Sequence, residues 1–161
     1  RILRDRGIDA SLTVVGTTPP QTDLPVETIG FLNQQVTEDL ERYRSLWREA
    51  TFLFMPSRAE TFGAVYAEAA ANGVPSIALD IGGVGDAVMD GENGRLLPRE
   101  SDAESCARTI SELLDAPDAY ERLVRSSRDR YETTLHWNVW CTSTLAILEG
   151  ILEDRKKAKI R

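Results

Sequence analysis

The chain has 161 residues, 42% of them hydrophobic and 28% charged, which is typical of one folded, soluble domain with a sizeable core. Its formal net charge of −7 and its pI near 4.8 argue against a nucleic-acid binder, because binding to phosphate backbones requires a basic face. A small anionic ligand stays compatible with this charge, because backbone amides at a helix start can bind a nucleotide locally.

The cysteine pattern and the lack of targeting signals indicate a reduced, cytoplasmic protein. Cys106 and Cys141 have no metal-type spacing and lie in segments predicted to be helical, so we expect structural thiols. The sequence has no signal peptide, and no apolar run approaches the ~18 residues of a membrane span. Because the chain starts at Arg1 without an initiating methionine, we expect a fragment or a processed product.

Strand-length apolar runs alternate with helix-length amphipathic segments, a pattern typical of βαβ units with parallel strands. A helix end over residues 1–7 stops at Gly7, a residue type that commonly ends helices. The predicted strands cover residues 11–16, 26–32, 52–55 and 76–79. The first is β-branched and the third is an unbroken apolar run, so we expect both to be buried, the third on both faces.

The predicted helices have apolar residues at helical spacing and cover residues 37–50, 62–72, 86–89, 102–115, 118–130 and 137–155. Trp47, Trp137 and Trp140 lie on such apolar faces, so we expect them in core or interdomain packing. Together the elements predict an open, doubly wound parallel α/β sheet with helices on both faces. In such sheets ligands bind beyond the carboxyl ends of the strands.

The junction after the third strand, residues 56–63, has the richest chemistry of the chain. Gly63 lets the backbone approach a ligand closely, and unpaired amides at a helix start attract phosphate. Glu60 and Glu68 flank these amides, and carboxylates accept hydrogen bonds from ribose or sugar hydroxyls. This layout suits a nucleoside-diphosphate sugar. From spacing alone, a pair of solvated surface acids is an equally good interpretation.

Further motifs follow in one order. Within residues 52–97, Glu60-x7-Glu68 with Phe62-Gly63 is followed by Ala-x-Gly-x-Pro, Gly-Gly and Asn-Gly. This stretch resembles the donor site of retaining GT-B glycosyltransferases of family GT4 (glycosyl transferase group 1), and weaker similarity covers nearly the whole chain. The resemblance implies that residues 1–161 are one Rossmann-like, nucleotide-sugar-binding domain. It would be the C-terminal half of a GT-B fold without its first strand, with residues 137–155 as a closing helix.

The resemblance also implies roles for individual residues. Glu60 is expected to be the catalytic residue, binding hydroxyls of the donor sugar, and Glu68 to bind the ribose. The other expected donor-binding residues are Gly16, Phe31, Leu32, Thr61, Phe62 and Gly63. Asp86 replaces the Glu that the family usually has after Gly-Gly and is assigned no role beyond a helix-start acid. His136, the one histidine, is expected to cap or pack against the last helix.

The implied reaction is a retaining transfer of a hexose from a nucleotide sugar to a saccharide or lipid-linked acceptor, without metal or cofactor. In the family, a basic pair on the first strand neutralises the donor diphosphate and an N-terminal domain binds the acceptor. Neither is present in these residues, so we expect the fragment alone to bind donor weakly at best and to transfer nothing. A GT-B-type nucleotide-sugar epimerase and a non-catalytic binding or scaffold module are the alternative functions.

The chain closes with a basic segment, residues 155–161. Such a segment can contact anionic lipid headgroups, so peripheral association with the inner face of the membrane is one expectation. A solvated helix end that complements the helix dipole is the other.

Overall fold

The computed structural model describes residues 1–159, with side chains through Arg155. Its strands, in chain order, are β1 Leu12–Val15, β2 Val26–Ile29, β3 Leu53–Met55, β4 Ser76–Leu79 and β5 Gly94–Leu97. β1 pairs with β2, and β4 lies between β3 and β5, with every pairing parallel. Helices lie on both sides of the sheets, so the predicted parallel α/β fold is confirmed. The hydrogen-bonded strands form two sheets, where the sequence predicts one.

The helices agree with the predicted ones in number and order. They are α1 Ile2–Asp5, α2 Thr37–Glu49, α3 Ala64–Ala71, α4 Val84–Ala87, α5 Ala103–Leu114, α6 Pro117–Arg130 and α7 Trp137–Lys159, with a π-helical turn at Tyr131–Leu135 before α7. α4 as a whole lies two residues before its predicted position, and α7 continues four residues beyond its predicted end. Val84 and Ala87 of α4 are fully buried, so packing against the core determines where this short helix forms.

The core surrounds β4, whose four residues are all buried. Tyr66 of α3 and Val84 of α4 pack against this strand together with Cys106 and Leu123 of the later helices. The backbones of β4 and β5 approach so closely at Gly94 that a Cβ there would lie 2.1 Å from the Ser76 carbonyl oxygen. A central parallel strand covered by helices explains why the apolar residues Ile77, Ala78 and Leu79 follow one another in β4.

Two predicted buried strands are more exposed than expected. In β1, Leu12 is 41% exposed, and in β3, Phe54 is 39% exposed. β1 pairs only with β2 among the described residues, and β3 is an edge strand of the three-stranded sheet. An apolar sequence predicts that a strand is covered, but its position in the sheet decides how far. The expectation of burial on both faces is therefore wrong for β3.

The tryptophans of α7 do not pack in the core of this domain. Trp137 is 72% and Trp140 58% exposed, although their rings contact each other edge to face with centroids 5.6 Å apart. Core packing is thus wrong for these two residues, and interdomain packing stays a prediction. Trp47 of α2 is half-buried and contacts the ring of Tyr43.

Across residues 1–159, no helix combines the length and the apolar character needed to cross a membrane. The predicted lipid contact of the basic segment concerns residues 155–161. Arg155 is exposed, and the side chains after it lie outside the described residues.

Candidate functional site

A cleft of about 600 Å³ opens at the carboxyl ends of β3, β4 and β5. It is lined by residues that follow these three strands: Arg58, Ala59, Glu60, Thr61, Asp80, Ile81, Gly82 and Arg99. Parallel strands all end at the same edge of a sheet, which brings residues more than forty positions apart in sequence to one place. The cleft therefore lies where the topology of the fold predicts a ligand site.

The loop with Glu60 and Thr61 is held by the turn that follows β4. The amide of Gly83 donates a hydrogen bond to the Thr61 carbonyl oxygen at 2.8 Å. A Cβ at Gly83 would lie 2.3 Å from that oxygen, and one at Gly82 would lie 2.0 Å from the Glu60 carbonyl oxygen. Only glycine allows this approach, so the Gly-Gly pair fixes the position of the loop.

Glu60 is a half-buried acid whose carboxylate is already oriented. Its Oε1 accepts a hydrogen bond from the amide of Thr61 at 2.9 Å, and its Cγ lies 3.4 Å from the position of a Cβ at Gly63. The pKa of the neighbouring Tyr66 is raised to about 12, first by burial and then by the negative charge of Glu60. Among the described residues no donor contacts Oε2, so this oxygen is available to a ligand.

The start of α3 lies beside this loop. Gly63 precedes the helix with φ +77°, a conformation that favours glycine, and no side chain caps the first turn. Both backbone groups of Thr61 are paired, to Glu60 and to Gly83, so they hold the loop. Within the described part of the chain, the amides of residues 62–65 have no acceptor. These four amides are the donors that a phosphate could reach, and the ring of Phe62 beside them is exposed.

Glu68 does not line this cleft. It lies on α3 and accepts a hydrogen bond at Oε2 from the hydroxyl of Tyr43 on α2. The predicted pair of carboxylates thus occupies two different environments, one in the cleft and one at the contact between two helices.

Gly16, Phe31 and Leu32 follow β1 and β2, at the carboxyl ends of the other sheet. Gly16 has φ +80° and Phe31 is 84% exposed, while Leu32 is half-buried. None of the three lines the cleft. The structure therefore brings Glu60 and Thr61 together with their neighbours Phe62 and Gly63. It places the residues that follow β1 and β2 apart from this group.

Sequence reasoning missed Arg58, Asp80 and Arg99, which line the cleft. The two arginines have no ion pair among the described side chains, and they offset the charges of Glu60 and Asp80. Arg58 lies inside the junction that the sequence singled out, and its charge was a usable signal. Arg99 follows β5, a strand that the sequence pattern does not predict, so no ligand-binding junction is expected there from sequence.

Other candidates do not contribute to the cleft. His136 precedes α7, and its Nδ1 accepts a hydrogen bond from the amide of Asn138 at 3.0 Å, which confirms the predicted cap. Asp86 lies in the first turn of α4. In the described part of the chain, no group of three histidine, cysteine or acidic residues has the arrangement of a metal site.

Comparison with known proteins identifies the family. The model of the family described as "Glycosyl transferases group 1" matches residues 1–116. The D-inositol 3-phosphate glycosyltransferase of Streptomyces griseus is 32% identical over 117 residues, which cover 73% of this chain and 24% of that protein. The chain thus spans about a quarter of the length of this curated relative.

Solved structures agree with this result. Sucrose-phosphate synthase from Thermosynechococcus elongatus superposes with a TM-score of 0.66 at 26% identity, over 92% of this chain and 39% of that one. The C-terminal domain of a glycosyl transferase group 1 family protein from Francisella tularensis gives a TM-score of 0.56 at 23% identity. The match covers 70% of this chain and 55% of that one. The fold is part of the C-terminal domain of a GT-B glycosyltransferase. The chain belongs to the glycosyl transferases group 1 family.

Proposed function

We propose that this chain is the donor-binding half of a retaining glycosyltransferase that transfers a hexose from a nucleotide sugar to a saccharide or lipid-linked acceptor. The observation that carries the proposal is the cleft beyond β3, β4 and β5. It contains an oriented carboxylate and two arginines, and the free amides at the start of α3 follow its lining residue Thr61 directly in the chain. These groups match the hydroxyls and the phosphates of a nucleotide sugar. The acceptor would be bound by a further domain of the full-length protein.

In this proposal each group has a separate task. Glu60 accepts hydrogen bonds from hydroxyls of the donor sugar through Oε2 and thereby orients its anomeric carbon. The amides of residues 62–65 and the arginines stabilise negative charge on the departing diphosphate. Glu68 binds the ribose, and the backbone near Phe31 and Leu32 lies beside the base. The proposed reaction needs no metal and no protein nucleophile from this half.

A ligand screen tests the proposal directly. The full-length protein is heated with UDP-, GDP- and ADP-sugars, and one nucleotide class is expected to raise the unfolding midpoint. A ligand that binds only the folded state, at a concentration of about 100 times its Kd, stabilises that state by about 2.7 kcal/mol. This shifts the unfolding midpoint by several degrees. Calorimetric titration then gives the affinity. If a folded protein binds none of the three classes, the non-catalytic scaffold alternative replaces this proposal.

The arginines give a second test. Arg58→Gln and Arg99→Gln are each expected to weaken binding of the nucleotide sugar roughly threefold to tenfold, because each removes a charge-assisted contact to phosphate. The double variant should also show a smaller loss of affinity between low and high salt. Arg122→Gln, an exposed cation of α6, is the matched control. Wild-type affinity of the double variant at low salt would remove the arginines from the proposal.

The cleft offers little to the epimerase alternative. The chain has one histidine, and His136 is engaged at the start of α7 in a contact with Tyr131. We therefore propose no histidine-based proton transfer at this site.

A further inference from the structure

The ribose-binding candidate Glu68 has a partner in the structure that the sequence did not indicate. The hydroxyl of Tyr43, in the middle of α2, donates a hydrogen bond to Oε2 of the Glu68 carboxylate on α3. The two residues are 25 positions apart, and both are half-buried. Among the described residues, Tyr43 is the one side chain that donates to this carboxylate.

Tyr43 is itself held in place. Its ring packs edge to face against Trp47, one turn further along α2, with centroids 5.9 Å apart and an interplanar angle of 88°. Burial raises the pKa of Tyr43 to about 12, and the hydrogen bond to Glu68 is the second cause. At neutral pH the hydroxyl therefore keeps its proton and stays a donor.

Fixing one carboxylate oxygen orients the other. A free glutamate side chain has several rotamers and loses conformational entropy when a ligand immobilises it. In this structure Oε2 is bound to Tyr43, while Oε1 has no donor among the described residues. A hydroxyl that approaches Oε1 thus meets an acceptor whose orientation is already set. Such preorganisation strengthens binding without a direct contact from Tyr43.

We propose that Tyr43 is a positioning residue that holds Glu68 so that its second carboxylate oxygen accepts hydrogen bonds from the ribose hydroxyls of the nucleotide. The inference rests on the proposed function, because it takes Glu68 as the ribose-binding residue. Tyr43 acts through Glu68 and touches no ligand atom itself.

The test is a comparison of two nucleotides that differ only in the ribose. The full-length protein and its Tyr43→Phe variant are titrated with UDP, GDP and ADP and with the 2′,3′-dideoxy counterpart of each. The variant is expected to bind the tightest ribonucleotide roughly threefold to tenfold more weakly. It should bind the dideoxy counterpart as the wild type does. In a Glu68→Ala background, which removes the acceptor of the Tyr43 hydroxyl, the same substitution should have no further effect.

Tyr120→Phe is the matched control. The Tyr120 hydroxyl donates to the Thr51 carbonyl oxygen at 3.1 Å, and its ring contacts Phe52 edge to face, far along the chain from Glu68. This variant also loses a tyrosine hydroxyl, and it should bind the ribonucleotide and its dideoxy counterpart as the wild type does. The unfolding midpoints of all variants report a general loss of stability. Such a loss would weaken the binding of both nucleotides equally.

Three outcomes would overturn the inference. Equal weakening of both nucleotides would mean that Tyr43 supports only the fold. Unchanged binding of the ribonucleotide would mean that Glu68 needs no orientation, and tighter binding would mean that Tyr43 competes with the ribose. In each case the wild type still binds nucleotide, so the proposed function stands. If the wild type binds none of the nucleotides, the proposed function fails and this inference fails with it.

Discussion

Glu60→Ala in the full-length protein is expected to lower kcat/KM for sugar transfer roughly 100-fold to 1,000-fold. Glu60 is half-buried, and one of its oxygens is fixed by the amide of Thr61, so its free oxygen is a preoriented acceptor in the cleft. Without the Glu60 carboxylate, the sugar hydroxyls lose their charge-assisted hydrogen bonds. The anomeric carbon is then no longer held in position. Steady-state kinetics with the donor found in the ligand screen measures the effect.

The variant must be separated from a misfolded protein. Because the proposal has Glu60 contact the sugar and not the nucleotide, the free nucleoside diphosphate should bind the variant within about threefold of wild type, a change below 1 kcal/mol. Glu121→Ala, which removes an exposed acid paired with Arg125 on α6, should leave transfer unchanged. Near-normal turnover in a folded Glu60→Ala protein would contradict the assignment of this residue.

Gly83→Ala is expected to destabilise the protein by about 2 kcal/mol and to displace the loop with Glu60. The new Cβ would lie 2.3 Å from the Thr61 carbonyl oxygen, which is the acceptor of the hydrogen bond from the Gly83 amide. The neighbouring atom belongs to the backbone, so it cannot move aside by a change of rotamer. Chemical denaturation measures the loss of stability, and donor binding should fall in the same variant.

Gly85→Ala is a close control, two residues further along. Its Cβ would meet only ordinary contacts, at 3.7 Å from Leu96 and 3.8 Å from Asp80. Gly85 lies within α4, where alanine is favoured over glycine, so this variant should keep its stability or gain up to about 1 kcal/mol. Equal effects of the two substitutions would show that helix propensity, and not the close approach to the loop, governs this turn.

The elements of the fold were accessible from the sequence because their patterns are local. The apolar run of β4 and the spacing in α2 and α6 predicted strand and helices within a few residues of their observed bounds. What covers a strand is a different question, because it depends on elements far along the chain. Leu12 and Phe54 belong to apolar runs and are nevertheless partly exposed, since β1 has one partner strand and β3 lies at a sheet edge.

The candidate site was predictable only in part for the same reason. Glu60 stands out because it lies beside Phe62 and Gly63 in one continuous motif. The spacing of residues in the sequence could not indicate that Tyr43 donates a hydrogen bond to Glu68, because this contact joins two helices. Nor could it place Arg99 beside Glu60, because residues at the ends of different strands meet only after the sheet has formed.

In the contact between the Gly-Gly turn and the loop, the loop atoms nearest to Gly82 and Gly83 are main-chain atoms of residues 60 and 61. The geometry of this contact therefore does not depend on which side chains those positions carry. If the loop binds the donor sugar as proposed, substitutions in the loop can change the preference for one sugar over another while the turn that supports it stays the same. In that case, this arrangement separates the choice of substrate, made by the side chains of the loop, from the backbone contact that supports the loop.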